Sequence, residues 1–331
     1  MTQAMPQPSP RPRARPAPVV RVATMMAAKR KLGLLTIWIP TLGTALAIAL
    51  AFAWGVGPVE IGLLLGMYVV TMAGVEVGLH RQLAHGAFQS PLWLRDLLAI
   101  AGSMAAQGRV TYWAATHRRH HVHSDRPEDP HSPHWRMGLE GEQHMGRLRG
   151  LWHAHMGNMV TGYPTNVTLF ARDLLKDARI ARIDRFYFGW VLVGLLIPAA
   201  LGAIFIGTPT GALEGLLWGG FVRIFLVHHI YFANGSFSHM YGGRPYETGD
   251  ESTNNPIFAV PTFGSAYQNN HHAFPASALL GLRWYQPDVG MWFIRTFEAL
   301  GLAWGVRRAP RELVEARRVR KHVHSREKTD G

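Results

Sequence analysis

The chain has no cysteine. That excludes disulfides, thiolate-ligated iron and thiol catalysis together. Any metal must rest on imidazole, carboxylate, amide or water. Charge is scarce as well: 17% of the 331 residues are Asp, Glu, Lys or Arg, against roughly a quarter in an ordinary soluble domain. Acidic residues are missing from residues 1–31, where Arg11, Arg13, Arg15, Arg21, Lys29, Arg30 and Lys31 stand among prolines. Such a segment has too little apolar surface to pack, and a disordered basic N-terminal tail is expected there. From Leu32 to Pro58 there is no charge of either sign.

What fills the chain instead is apolar sequence in lengths that suit a bilayer, for which about 20 residues make a helical span. Leu32–Pro58 is the first run and "IGLLLGMYVVTMAGVEVGLH" the second, joined by a Gly-Val-Gly-Pro break. Phe186–Leu213 is the third and Gly215–Phe232 the fourth. Arg223 sits inside the fourth, where an ionised group has to face protein or a site. The expectation is an all-α integral membrane protein with four transmembrane helices in two hairpins, turning outside near Gly57 and Thr208. Leu92–Trp113 is largely apolar but carries Arg95, Asp96 and Arg109, so it reads as an interfacial or re-entrant helix.

The formal charge is +13. Basic residues flank the apolar runs in the N-terminal tail, in "ARDLLKDARIARIDR" and in the C-terminal "RRAPRELVEARRVRKHVHSREK". Counted by the positive-inside rule, both termini lie in the cytoplasm, and a bacterial inner membrane is the expected location. The basic residues lack an aromatic recognition pattern, so no nucleic-acid partner is expected. The domain expectation is residues 1–31 as tail, 32–306 as the membrane domain and 307–331 as a basic cytoplasmic tail.

Histidine is concentrated. Thr111–Trp135 holds six His beside three carboxylates. "HRQLAH" gives His80 and His85, which an ideal α-helix would turn about 140° apart. They can therefore serve one centre only if the helix bends or ends there. "HRRHH" gives His117, His120 and His121, at spacings of three and four that share a helix face. "NNHH" gives His271 and His272, adjacent and therefore diverging, suited to two different ions. His239 stands alone in "ANGSFSHMYGGRPYETGDESTNN". In the four-span topology all these groups fall on the cytoplasmic side, as a His-rich helical cap over the spans. Four groups adjoining apolar segments point to a shared metal centre, where a solvated His-rich surface would not need that arrangement. Eight histidines exceed the four ligands of one tetrahedral zinc, and a nitrogen-rich centre of higher coordination suits two irons that activate O2.

The motifs together resemble the membrane-bound fatty acid desaturase family, in its acyl-CoA or acyl-lipid Δ9-type branch. "HRQLAHGAF", "WAATHRRHHVHSDRPEDPHSP", "GGRPYETGDESTNN" and "NNHHAFPASALLGLRWYQPDVGMWFIRTFEALGLAW" carry the resemblance, which runs from about Leu32 to Val306. It implies that His80, His85, His117, His120, His121, His239, His271 and His272 hold two irons. It implies a fatty acyl-CoA or acyl-lipid substrate, O2, and insertion of a cis double bond. With no Cys-rich or "HPGG" heme segment present, the electrons are expected from a separate ferredoxin-like or cytochrome donor. Two positions depart from the family pattern. Gln268 stands where the late box begins with His, and Gly235 stands where an Asn is found. Gln268, Asn234, His228 and His229 are the candidates to complete the metal shell or its surroundings. The extra segment "RMGLEGEQHMGRLRG" is a candidate lid or donor-docking surface. Two rival readings share features of the sequence: a membrane di-iron fatty acyl or lipid hydroxylase, and a membrane metal-binding or transport protein. Transport would call for ionisable groups inside the spans, whereas the histidines gather outside them.

Overall fold

The computed structural model describes residues 16–138 and 141–319. Among the described residues four helices are long and apolar enough to cross a membrane: α1 (Ala23–Trp54), α2 (Pro58–Ala84), α7 (Tyr187–Phe205) and α8 (Gly211–His239). α1 starts at Ala23, inside the segment expected to be tail. The physical reason is the sequence Ala-Thr-Met-Met-Ala-Ala, whose Ala and Met residues favour helix ahead of the apolar run. Residues 1–15 and 320–331 of the two expected tails lie outside the described residues. α1 and α7 leave large apolar side chains such as Trp38, Leu42, Phe188 and Phe205 uncovered, as lipid-facing helices do.

The third apolar run does not continue to Leu213. It breaks at Gly207 (φ 71°), and Gly211–Leu213 begin α8. The two helices then pack backbone to backbone: a Cβ added at Gly215 would sit 2.1 Å from the Pro198 carbonyl oxygen, and one at Gly202 2.3 Å from that of Gly211. Small residues allow this approach where the hydrophobic effect cannot drive helices together. Arg223 is fully buried in α8 and bonds three backbone carbonyls, those of Met104 (2.7 Å), Gly194 (2.7 Å) and Gly219 (3.1 Å). Winding of π type at Leu216–Val222 precedes it. The arginine thus faces protein, joining α7 and α8 to the backbone at Met104.

α3 (Leu92–Ser103) has 12 residues, about 18 Å at 1.5 Å per residue, too short for a hydrocarbon core of about 30 Å. It packs against α2, where a Cβ at Gly74 would fall 2.2 Å from the Gly102 nitrogen. Left-handed Ala106 and Gly108 turn the chain into α4 (Val110–His123). Asp184, at the end of α6 (Ala178–Arg185), accepts from the backbone N–H of Val110 (2.7 Å) and Thr111 (3.2 Å) and from the Thr111 hydroxyl. A carboxylate at that end satisfies donors the first turn leaves open and pins the helix that carries three histidines.

The extra segment after the second His box forms an antiparallel hairpin, β1 (Trp135–Gly138) with β2 (Gly141–His144), the one sheet among the described residues. It leads into α5 (147–161), wound as π over His153–Gly157. Beyond α8 lie α9 (Gln268–Ala273), α10 (Val289–Ala299) and α11 (Arg311–Ala316). α11 falls in the expected C-terminal tail, yet Val314 is buried with Tyr246 and Phe274. Arg81, between the histidines of the first box, is buried and bonds Asp288 (2.7 Å) and the carbonyls of Ala278 (2.9 Å) and Phe263 (2.8 Å). That arginine ties α2 to the start of α10.

Candidate metal centre

The first box solves its spacing problem by winding. Gly74–Ala84 is a π-helix, whose hydrogen bonds run from residue i to i+5. The His85 amide donates to the His80 carbonyl at 3.1 Å. Residues five apart become neighbours, and the two rings lie 5.0 Å apart. His117 and His121 of α4 meet them from one side and His271 of α9 from another. The five ligand atoms lie within 4.8 Å of one another. Nε2 separations are 2.7 Å for His85–His117, 3.0 Å for His80–His271, 3.0 Å for His117–His121 and 2.9 Å for His121–His271.

A second group holds His120, His239 and His272, also within 4.8 Å. α4 therefore feeds both groups, His117 and His121 to the first and His120 to the second. α9 does the same with its adjacent pair. Gln268, one helical turn before His272, places Oε1 3.1 Å from His272 Nε2. Its amide nitrogen donates to the Ser265 carbonyl (2.7 Å), which fixes the oxygen as the atom facing the group. His239 Nε2 is buried and has no partner among the described residues, the state of a donor atom shaped for a cation.

Carboxylates hold the other ring nitrogens. His80 Nδ1 meets Glu76 at 3.0 Å, His120 Nδ1 meets Asp129 at 3.0 Å, His239 Nδ1 meets Asp125 at 2.8 Å and His272 Nδ1 meets Asp250 at 2.6 Å. Donation from Nδ1–H leaves Nε2 as the ligand and makes it more basic. Sequence reasoning assigned none of these four. A signal existed for two of them: Glu76 is four residues before His80 on one helix, and Asp129 belongs to the Asp-Pro-His sequel of the second box.

Burial pushes the His85, His117, His121 and His271 imidazoles well below their ordinary range, and crowding by the other imidazoles adds to it. The rings are accordingly neutral at neutral pH, as ligands must be. For Asp129 and Asp250 burial works upward, but the adjacent His120 and His272 outweigh it and hold both carboxyls well below the usual range. The donor set fits two cations: five imidazoles at one place, three imidazoles with an amide oxygen at the other, and carboxylates behind them.

Of the other candidates, the two histidines at the end of the fourth run lie elsewhere, and Asn234 lines the cavity beside His117 and His120. His228 Nε2 contacts the Ala105 carbonyl at 2.7 Å, and His229 Nδ1 contacts His155 Nε2 at 3.0 Å. Neither belongs to a group of converging ligand atoms, so the compensation expected from the end of span four is not what the geometry shows. Asn234 is buried with both amide atoms unpartnered among the described residues. At Gly235 an added Cβ would lie 2.9 Å from His131 Nδ1, so the space a side chain would take is filled by the His131 ring. That ring lies over His120, with centroids 4.3 Å apart. Sequence reasoning passed over His131.

A cavity of about 180 Å³ opens beside His117 and His120. Trp113, stacked on His117 at 5.3 Å, forms one wall with Tyr231 and Phe232; Met159 and Ala154 of α5 form the other.

The family model described as "Fatty acid desaturase" matches residues 54–288. The chain is 48% identical over 281 residues to the hex-5-enoyl-[acyl-carrier protein] acetylenase of Moorena producens, covering 85% of this chain and 87% of that one. It is 33% identical over 264 residues to the sn-1 stearoyl-lipid 9-desaturase of Anabaena variabilis, covering 79% and 87%. With delta-9 acyl-lipid desaturase 1 of Arabidopsis thaliana it shares 34% identity over 242 residues, covering 73% of each.

Proposed function

We propose that this chain, which belongs to the membrane-bound fatty acid desaturase family, introduces a cis double bond into a fatty acyl chain held as a thioester or lipid. The observation that carries the reading is the pair of imidazole groups sharing α4, placed beside a cavity with an aromatic wall. His80, His85, His117, His121 and His271 would hold one iron. His120, His239 and His272, with the Gln268 oxygen, would hold the other. Iron there supplies the O2 activation needed to break unactivated C–H bonds. In each turnover two adjacent carbons lose one hydrogen each, and a separate ferredoxin-like or cytochrome donor provides two electrons with two protons. O2 leaves as two waters, and one carbon–carbon bond gains an order.

The chain's own residues do the positioning. Trp113, Tyr231 and Phe232 orient the acyl chain against His117 and His120 and exclude water. Glu76, Asp125, Asp129 and Asp250 keep four rings in the binding tautomer. The protein is placed in a bacterial inner membrane with its site and both termini on the cytoplasmic side, on the support of the basic flanks. Mass spectrometry of acyl products made by the iron-loaded protein with O2 and a reduced donor tests the reading. An alkene is expected. An alcohol would make the chain a hydroxylase, and iron binding without any oxidised product would leave a metal-binding protein. A second reading follows from the 48% identity to an acetylenase: the bond attacked is already double, and the product is an alkyne.

A further inference from the structure

His239 is held differently from the other two imidazoles of the second metal group. His120 is set by α4 and His272 by α9, whereas His239 stands on a single 3-10 turn, Phe237–His239, at the end of α8. A turn of that length fixes little by itself. At the end of a helix the last carbonyls also lack intrahelical partners. The His239 carbonyl is met by a side chain from elsewhere: His134 Nε2–H donates to it at 2.8 Å. The ring is held as well, because Asp125 Oδ2 accepts from His239 Nδ1–H at 2.8 Å. Asp125 sits in the left-handed region at φ 55°, and its other oxygen accepts from the Ser132 hydroxyl at 3.0 Å. One short segment, Ser132–His134, therefore reaches this ligand twice, once through the ring and once through the backbone.

That segment is the root of the extra hairpin. The backbone N–H groups of His134 and Trp135 donate to Ser132 Oγ at 3.0 and 3.2 Å. At the far end of β2 the Met145 amide donates back to the His134 carbonyl at 2.8 Å. The rings of Trp135 and His144 meet edge to face, with centroids 5.0 Å apart. Both strands thus close on the residue that bonds the His239 carbonyl. We infer that the β1–β2 hairpin is a clasp on the second metal group, with His134 and Ser132 as positioning residues for His239. The second group has the greater need of one. It offers three imidazoles and an amide oxygen where the first offers five imidazoles, so a misplaced ring removes a larger share of its strong donors. Ligands work only when the groups behind them hold their geometry. The inference rests on the two-iron reading of the site and concerns how the second iron is held.

The test uses the full-length protein in detergent, loaded anaerobically with isotopically enriched iron. Chelator competition measures how tightly each iron is held, and Mössbauer spectra report the surroundings of each. His134→Leu removes the donor to the His239 carbonyl. It should lower the affinity of one iron about 10- to 100-fold, with the other iron and its spectrum unchanged. His134→Gln, whose side-chain amide can donate to the same carbonyl, should restore the affinity. Ser132→Ala should weaken the same iron. Combined with His134→Leu it should cost less than the two effects added together, since both act through His239. Both irons held as tightly as in the wild type in His134→Leu and Ser132→Ala would overturn the inference and leave the desaturase reading standing. Loss spread evenly over both irons overturns it too, as does a glutamine variant that restores nothing. If the leucine variant does not fold, Ser132→Ala decides by the same criterion. Wild-type protein that takes up fewer than two irons overturns the two-iron reading, and the inference with it, before any variant is made. Two irons held as expected, with no acyl substrate oxidised, counts against the desaturase reading alone.

Discussion

Gln268 would set how alike the two proposed metal sites are. Its oxygen is a weaker donor than an imidazole, and it faces His272 Nε2 at 3.1 Å. In Gln268→Ala, bound iron should fall from two per chain towards one, while Gln268→His keeps two. Iron quantification with Mössbauer spectra after anaerobic loading reads this; full iron in the alanine variant would remove Gln268 from the ligand set. The carboxylates act one step further out. Asp250→Asn removes the charge behind His272 and should lower iron affinity about 10- to 100-fold, measured by chelator competition; unchanged affinity would make Asp250 a packing residue. At this scale the eight histidines were legible because they cluster in four short words. The carboxylates were not, since a pair such as His239 and Asp125 is separated by 114 positions. His131 was hidden for the same reason: only the fold brings it against Gly235.

Among the elements, α5 forms one wall of the cavity and carries two titratable groups that are not ligands. Burial, reinforced for His153 by Arg136 and Lys29 and for His155 by His229, pushes both imidazoles down to about 4. With the packed-state value depressed, the stability these rings contribute is fully present above about 6.5. It is lost as pH falls from there towards 4, because the opened segment binds protons first. Hydrogen exchange in 147–161, corrected for intrinsic rate, should therefore rise on acidification across that window relative to the α7–α8 pair. Flat protection would show that the two rings titrate without opening the helix. Element existence was readable from apolar run length, while element rotation was not. His228 and His229 end a predicted span, as expected, but the turn of α8 aims them at Ala105 and His155. Nothing in the local sequence reports that angle.

For the whole molecule, the four long helices follow from the length of the apolar runs, and the break near Gly57 from its Gly-Val-Gly-Pro turn. The third apolar run extends past its helix, from Gly207 to Leu213, although the turn itself falls where it is expected, near Thr208. The α5 hairpin region was visible only as added length. The proposed topology has a direct check. Reporter fusions at residues 30, 130 and 320 should all signal cytoplasm, and a periplasmic signal at 130 would separate α4 from the side proposed for the termini.

The π winding of Gly74–Ala84 makes the first box a length standard. Two metal-facing rings five residues apart are in phase only while the helix is underwound, so the register of α2 and the occupancy of the site are one variable. Deleting Leu83 would bring the two histidines to four-residue spacing, which an ordinary α-helix already satisfies. The shortened segment should relax to α form with both rings still in phase, and Ala87 should keep its register with Arg307, which it now meets at 2.8 Å. Inserting an alanine after Leu83 instead should turn everything after it by about 100°. Circular dichroism should show the helix retained in both variants, with iron loading kept by the deletion and lost by the insertion; iron lost from the deletion as well would mean that the site requires the π winding itself and not the phase it sets.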